Sequence, residues 1–168
     1  MTDCKEDSCS GTIHDFGGPL KNYYNNEDYT WTIAPPLATS INVSFSSFNV
    51  ELNYDYLYIY DGPSTASPLI GLYTGTNSPG TFSTSGGAVT FRFTSDGATV
   101  APGFLATYNC VQDNTPPITS IATTGTWQTA DFMTNFTDTD DFGVQEKFYN
   151  VSDYDGIEWR ANVDYGFF

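Results

Sequence analysis

Five separated runs in the first 110 residues alternate apolar and polar side chains with a period of two, and nothing else in the chain narrows its fold as far. Tyr29, Trp31 and Ile33 share one side. So do Ile41, Val43 and Phe45, then Leu57 and Ile59, then Val89, Phe91 and Phe93, then Phe104, Ala106 and Tyr108. Successive side chains of an extended strand point to opposite faces, so each run reads as a strand with one apolar face. Turn signals stand between the runs: Pro35-Pro36, Asp61-Gly62-Pro63, Asn77-Ser78-Pro79-Gly80, Ser85-Gly86-Gly87 and Asp96-Gly97. Two sheets packed face to face bury such faces. The expectation is an all-β chain built on an antiparallel β-sandwich.

The alternation stops after residue 110. Residues 111–117 hold Gln, Asp, Asn, Thr and the pair Pro116-Pro117, an aperiodic and extended stretch that reads as a linker. Beyond it Trp127, Phe132, Phe136 and Phe148 supply new apolar positions, and acidic residues cluster at 138–141 and 153–155. A chain of 168 residues has room for one core and part of another. The organisation expected is therefore a sandwich over 9–110, a linker over 111–117 and a partial second β-rich domain over 118–168. The apolar end at Gly166, Phe167 and Phe168 reads as a cut through a longer protein.

Charge and cysteine content exclude several classes of function. Asp and Glu number 20 against 5 Lys and Arg, a formal charge of −15. Phosphate backbones and anionic headgroups are repelled by such a surface, which suits cations instead. No apolar run approaches the ~20 residues that cross a bilayer. Cysteines are Cys4, Cys9 and Cys110, with no CxxC pair and one histidine, His14, too few ligands for zinc. In an extracellular setting Cys9 and Cys110, which bracket the first domain, are the preferred bridge, with a local Cys4–Cys9 loop as the alternative. No nucleophile has a plausible histidine partner, and among 20 acids chance carboxylate pairs are inevitable, so a non-enzymatic role is expected.

Several motifs then occur in a telling order: Cys9-Ser10-Gly11-Thr12, Tyr29-Thr30-Trp31-Thr32-Ile33, Ser47-Phe48-Asn49-Val50-Glu51, Tyr54-Asp55-Tyr56-Leu57-Tyr58-Ile59-Tyr60-Asp61-Gly62, and Phe93-Thr94-Ser95-Asp96-Gly97 closing on Gly103-Phe104. Together they resemble a CUB domain. The resemblance implies a two-layer, jelly-roll-like β-sandwich that recognises proteins or glycans outside the cell, in many members with a calcium site at one end. Animal members usually carry a cysteine just before the strand tryptophan, where this chain reads Glu27-Asp28-Tyr29. That variation resembles bacterial CUB-like modules. The segments 127–132 and 155–162 resemble parts of large secreted proteins of Bacteroidetes-type bacteria.

The resemblance matches Glu51, Asp55 and Asp96 to a calcium site, with turn oxygens around Ala98 or Thr99 completing the shell. In one unbroken strand Glu51 and Asp55 would stand ~13 Å apart, so the chain must turn between them, and Leu52-Asn53 reads as a hairpin connection. Calcium takes six to eight hard oxygens, which three carboxylates, turn carbonyls and water can supply. Solvated turn acids are the plainer alternative.

Tyr54, Tyr56, Tyr58 and Tyr60 alternate with core-facing Leu57 and Ile59 and so face outward. Cross-strand packing is the preferred reading of this ladder, and stacking on a ligand such as a sugar is the other. Asp138, Asp140 and Asp141 fail the EF-hand pattern, because Tyr149 stands where its glutamate belongs, and read as a solvated acidic turn. The function expected is a calcium-supported module of a secreted or cell-surface protein that grips a Lys or Arg of an extracellular partner. The alternative is a carbohydrate-binding module on a polysaccharide.

Overall fold

The computed structural model describes residues 4–121, 136–140, 143, 151–152 and 158–159. The chain divides into two units, 1–114 and 115–168. In the first, nine strands are β1 Cys4–Glu6, β2 Ser10–His14, β3 Asp28–Ile33, β4 Ala38–Asn49, β5 Tyr56–Tyr60, β6 Leu69–Tyr73, β7 Thr81–Ser83, β8 Val89–Thr94 and β9 Gly103–Gln112. They form a five-stranded sheet in the order β1-β3-β8-β5-β6 and a four-stranded sheet in the order β2-β9-β4-β7. All pairings are antiparallel except β1 with β3, which is parallel.

The alternating runs supply the core. Ile33, Ile41, Leu57, Ile59, Val89, Phe91, Phe93 and Ala106 are fully buried between the sheets. Trp31 joins the layers: its indole stacks on Phe91 of its own sheet, centroids 5.2 Å apart, and on Phe104 of the other, 6.0 Å apart. The period-two pattern slips twice along β4. Irregular registers between Ala38 and Ser40 and between Phe45 and Ser47 each insert a residue, so the inward positions pass from 38 to 41 and from 45 to 48.

Cys9 and Cys110 form a disulfide. It clasps the start of edge strand β2 to its neighbour β9, where the Cys110 N–H also donates to the Cys9 carbonyl at 2.7 Å.

The expected boundaries shift at both ends. Strand β1 lies before residue 9 and pairs Cys4, Lys5 and Glu6 with Trp31, Thr32 and Ile33. Val111 and Gln112, read as linker, belong to β9 and pair with Ser40 and Ala38. The Leu52-Asn53 connection is not a hairpin either. Strand β4 pairs with β7 and β9 and β5 with β6 and β8, so the chain there arches from one sheet to the other.

Tyr54 lies in that arch, 62% exposed, and does not belong to the tyrosine ladder. Tyr56, Tyr58 and Tyr60 are half-buried on the outer face of β5. The Tyr56 and Tyr58 rings meet at 6.3 Å, and the Arg92 guanidinium sits 5.8 Å over Tyr58 while pairing through two nitrogens with Asp28.

In the second unit, β10 Ile118–Ile121 pairs with β11 Phe136–Thr139, and β12 Val151–Ser152 pairs with β13 Glu158–Trp159. Asp138 therefore sits within a strand, not a turn, where its carboxylate accepts from the Thr119 hydroxyl at 2.7 Å. The expected apolar positions Trp127, Phe132 and Phe148, the acids at 153–155 and most of the two Bacteroidetes-like segments lie outside the described residues. Among the described residues no helix is long and apolar enough to cross a membrane.

Candidate metal centre

Two loops bring acids together at one end of the sandwich. The arch between β4 and β5 closes on itself through the Asp55 N–H and the Glu51 carbonyl, 3.2 Å apart, with Asn53 in the left-handed region at φ 66°. Asparagine tolerates that conformation better than most residues. Thr74 fastens the arch, its hydroxyl accepting from the Asn53 N–H and donating to the Glu51 carbonyl. The second loop follows β8 and carries Asp96, whose N–H donates to Asp55 Oδ1 at 2.9 Å. Among the described residues, Glu51, Asp55 and Asp96 are the one acidic cluster whose ligand atoms all lie within 4.8 Å of one another.

Asp55 is fully buried, Glu51 and Asp96 half-buried. Asp55 Oδ2 accepts the Tyr23 hydroxyl proton, and the same Tyr23 oxygen accepts from the Glu51 N–H at 3.0 Å. Each Asp55 oxygen keeps a further lone pair. Glu51 Oε2 is shielded from solvent and has no hydrogen-bond partner. Loss of solvent, followed by the negative charges of Asp96 and Asp55, pushes the Glu51 carboxyl above the usual carboxylate range, while the Thr99 hydroxyl bonded to it pulls the other way. An orphaned acceptor beside two further carboxylates is an arrangement that a hard cation satisfies.

Of the residues expected at the site, Ala98 and Thr99 enter in another manner than foreseen. The Ala98 N–H donates to Asp96 Oδ1 at 2.8 Å, holding the turn, and Thr99 meets Glu51 through its hydroxyl. Thr99 also has φ 45°, an outlier for a β-branched residue. Such strain costs about 1–3 kcal/mol and gathers at functional loops.

Sequence reasoning missed Tyr23, Glu27 and Asp15. Tyr23 is buried although it lies in the polar stretch Lys21-Asn22-Tyr23-Tyr24-Asn25-Asn26, where no periodicity marks it. Its neighbours zip onto the Asp96 loop: the Asn26 N–H donates to the Asp96 carbonyl, the Asn25 amide to the Gly97 carbonyl, the Ser95 N–H to the Glu27 carbonyl and the Glu27 N–H to the Ser95 hydroxyl. Tyr23→Phe strands Asp55 Oδ2 and the Glu51 N–H, and is expected to cost about 1–2 kcal/mol in urea unfolding under chelator. An unchanged midpoint would show that neither group depends on the hydroxyl.

Asp15, also buried, accepts from Gly17 N–H at 2.8 Å and Phe104 N–H at 2.9 Å. It lies so close to Gly103, at φ 78°, that a Cβ there would collide with its carboxylate.

Comparison with known proteins identifies the fold that carries these residues. The family model described as CUB domain matches residues 4–108. Tolloid-like protein 2 of Homo sapiens is 30% identical over 117 residues, covering 64% of this chain and 12% of its own length. Cubilin of Sus scrofa is 34% identical over 110 residues, 59% of this chain and 3% of its own length. The matched part is thus a small fraction of either relative. Among solved structures, the MASP-1 CUB2 domain bound to Ca2+ superposes with a TM-score of 0.55 at 25% identity, covering 62% of this chain and 96% of that one.

Proposed function

The chain belongs to the CUB domain family through residues 4–108, and from that membership we propose that its first unit is a non-catalytic, calcium-dependent recognition module of an extracellular protein. Glu51, Asp55 and Asp96 hold the ion, with the Thr99 hydroxyl and turn oxygens near Ala98 beside them. The observation that carries this reading is the orphaned Glu51 Oε2 set among carboxylates within 4.8 Å of one another. The MASP-1 domain that binds Ca2+ supports it from outside the chain. The bound ion locks the arch to the Asp96 loop. The acidic end then receives a Lys or Arg side chain from a partner protein, as the chain's excess of acids favours.

The Cys9–Cys110 bridge supports a secreted or cell-surface setting, since disulfides persist where thiols are not kept reduced. The lack of a cysteine at Glu27-Asp28-Tyr29, just before the strand tryptophan Trp31, is what supports a bacterial setting.

Calcium binds the folded state alone, so a concentration one hundred times its dissociation constant stabilises by about 2.7 kcal/mol. At roughly 4–8 °C per kcal/mol for a domain of this size, Tm rises by about 10–20 °C. Thermal unfolding in millimolar calcium against chelator should show this for the native chain, while Asp96→Asn abolishes most of the rise. A native chain indifferent to calcium, or a variant that responds as fully, would overturn the assignment.

A further inference from the structure

Away from the acidic end, the sandwich is open along the edge where β1 and β3 of one sheet face β2 of the other. A groove of about 230 Å³ lies there, its walls including Phe16, Tyr29, Trp31, Tyr108, Glu6 and His14. We propose that this groove binds a small alkylated ammonium ion.

Exposed Phe16 and half-buried Trp31 pack on the buried Tyr29 ring between them. Phe16 lies 4.2 Å from Tyr29 between centroids, and Tyr29 stacks on Trp31 at 5.1 Å with 26° between planes. Phe16 stands 52% exposed at the mouth of the groove. Tyr108 is laid flat across β2, which Gly11 alone permits, because a Cβ there would meet the Tyr108 ring and hydroxyl at 2.8 Å. The Tyr29 hydroxyl is buried, with the Phe16 backbone beside it.

The electrostatics choose among occupants. No Lys or Arg lines the groove, whereas the exposed Glu6 does, with the buried Asp15 behind it. The charges of Glu27 and Asp15 reach the Tyr29 hydroxyl and that of Glu6 reaches Tyr108. An anion is repelled here. A metal ion would find one exposed carboxylate and aromatic faces in place of six or more oxygens. An alkylated ammonium carries the required charge on an apolar surface and gains from ring faces and carboxylates at once, and the volume suits a molecule of a few carbons.

The test is choline titrated into the full chain with calcium present, followed by NMR at the Trp31 indole and the Phe16 ring, with 3,3-dimethylbutan-1-ol as the neutral molecule of the same shape. Choline is expected to give saturable shifts at both residues and to bind about fivefold more tightly than the alcohol, with Phe16→Ala and Glu6→Gln each weakening it about two- to fivefold. Both positions are exposed, so both variants keep the fold. Asp96→Asn should leave choline binding unchanged, which separates this groove from the proposed calcium site. Equal binding of the alcohol, no saturable shift up to tens of millimolar, or sensitivity to Asp96→Asn but not Phe16→Ala would each overturn the proposal.

Discussion

Replacing Cys9 and Cys110 together with serine is expected to destabilise the first unit by about 4–5 kcal/mol. The bridge joins positions 101 residues apart, and a cross-link closing a loop near that length restricts the unfolded chain by roughly 4.7 kcal/mol. Its place in the fold adds to the effect. Strand β2 is an edge strand whose ladder runs to β9 alone, from Ser10 opposite Asn109 to His14 opposite Leu105. The disulfide clamps the open end of that ladder, and β2 delivers Ile13 to the core and leads directly into Asp15. Without the clamp the edge frays first, and both are loosened.

At roughly 4–8 °C per kcal/mol, Tm should fall by about 20 °C or more, as read by circular dichroism with calcium held constant. Cys4→Ser serves as the control that removes a sulfur without opening the bridge. A double variant melting within a few degrees of the native chain would show that noncovalent contacts alone hold β2 in place.

What the sequence could disclose depended on how local each determinant is. The faces of β3, β5, β8 and β9 were legible because burial on one side imposes a period of two on any strand, whatever its partners. Strand β4 was legible only to Phe45, since the irregular register at Phe45 and Ser47 reverses which positions face inward. Strands β1 and β7, of three residues each, are too short to carry a period.

The Leu52-Asn53 turn was placed correctly as a turn and wrongly as a hairpin. Two residues between apolar runs look alike whether the chain returns to the same sheet or crosses to the other. The choice is settled by β9 and β8, which flank β4 and β5 from sequence positions far away. The gathering of Glu51, Asp55 and Asp96 could be argued from acids beside turns together with the family motif. Tyr23, Glu27 and Asp15, buried polar groups outside any alternating run, gave no such signal.

Glu27 yields the last expectation, a stability that falls as pH rises toward neutrality. It is 2% exposed. One carboxyl oxygen accepts from the Tyr24 N–H at 3.0 Å, and the other is buried without a partner. Loss of solvent first, then the charges of Asp15 and Asp55, push its carboxyl from 4.5 up to about 7, against the Tyr24 hydrogen bond that lowers it. The folded state therefore holds this proton more tightly than the unfolded state does. Below pH 4.5 both states are protonated and the stabilisation is fully present. Between 4.5 and about 7 the unfolded chain loses its proton first, so stability declines, and above 7 the loss is complete.

At about 1.4 kcal/mol per pH unit this separation amounts to ~3 kcal/mol. Glu27→Gln keeps an acceptor for the Tyr24 N–H and removes the ionisation. Its stability relative to the native chain should rise from near zero at pH 4.5 to on the order of 3 kcal/mol at pH 8. Asp15 and Glu51 are shifted in the same direction, so the difference between native and variant, not the native slope, isolates Glu27. Urea unfolding under chelator across pH 4.5 to 8 measures it. Parallel stability curves for the two proteins would place the pH dependence in other carboxyls and show that Glu27 is ionised in the fold without penalty.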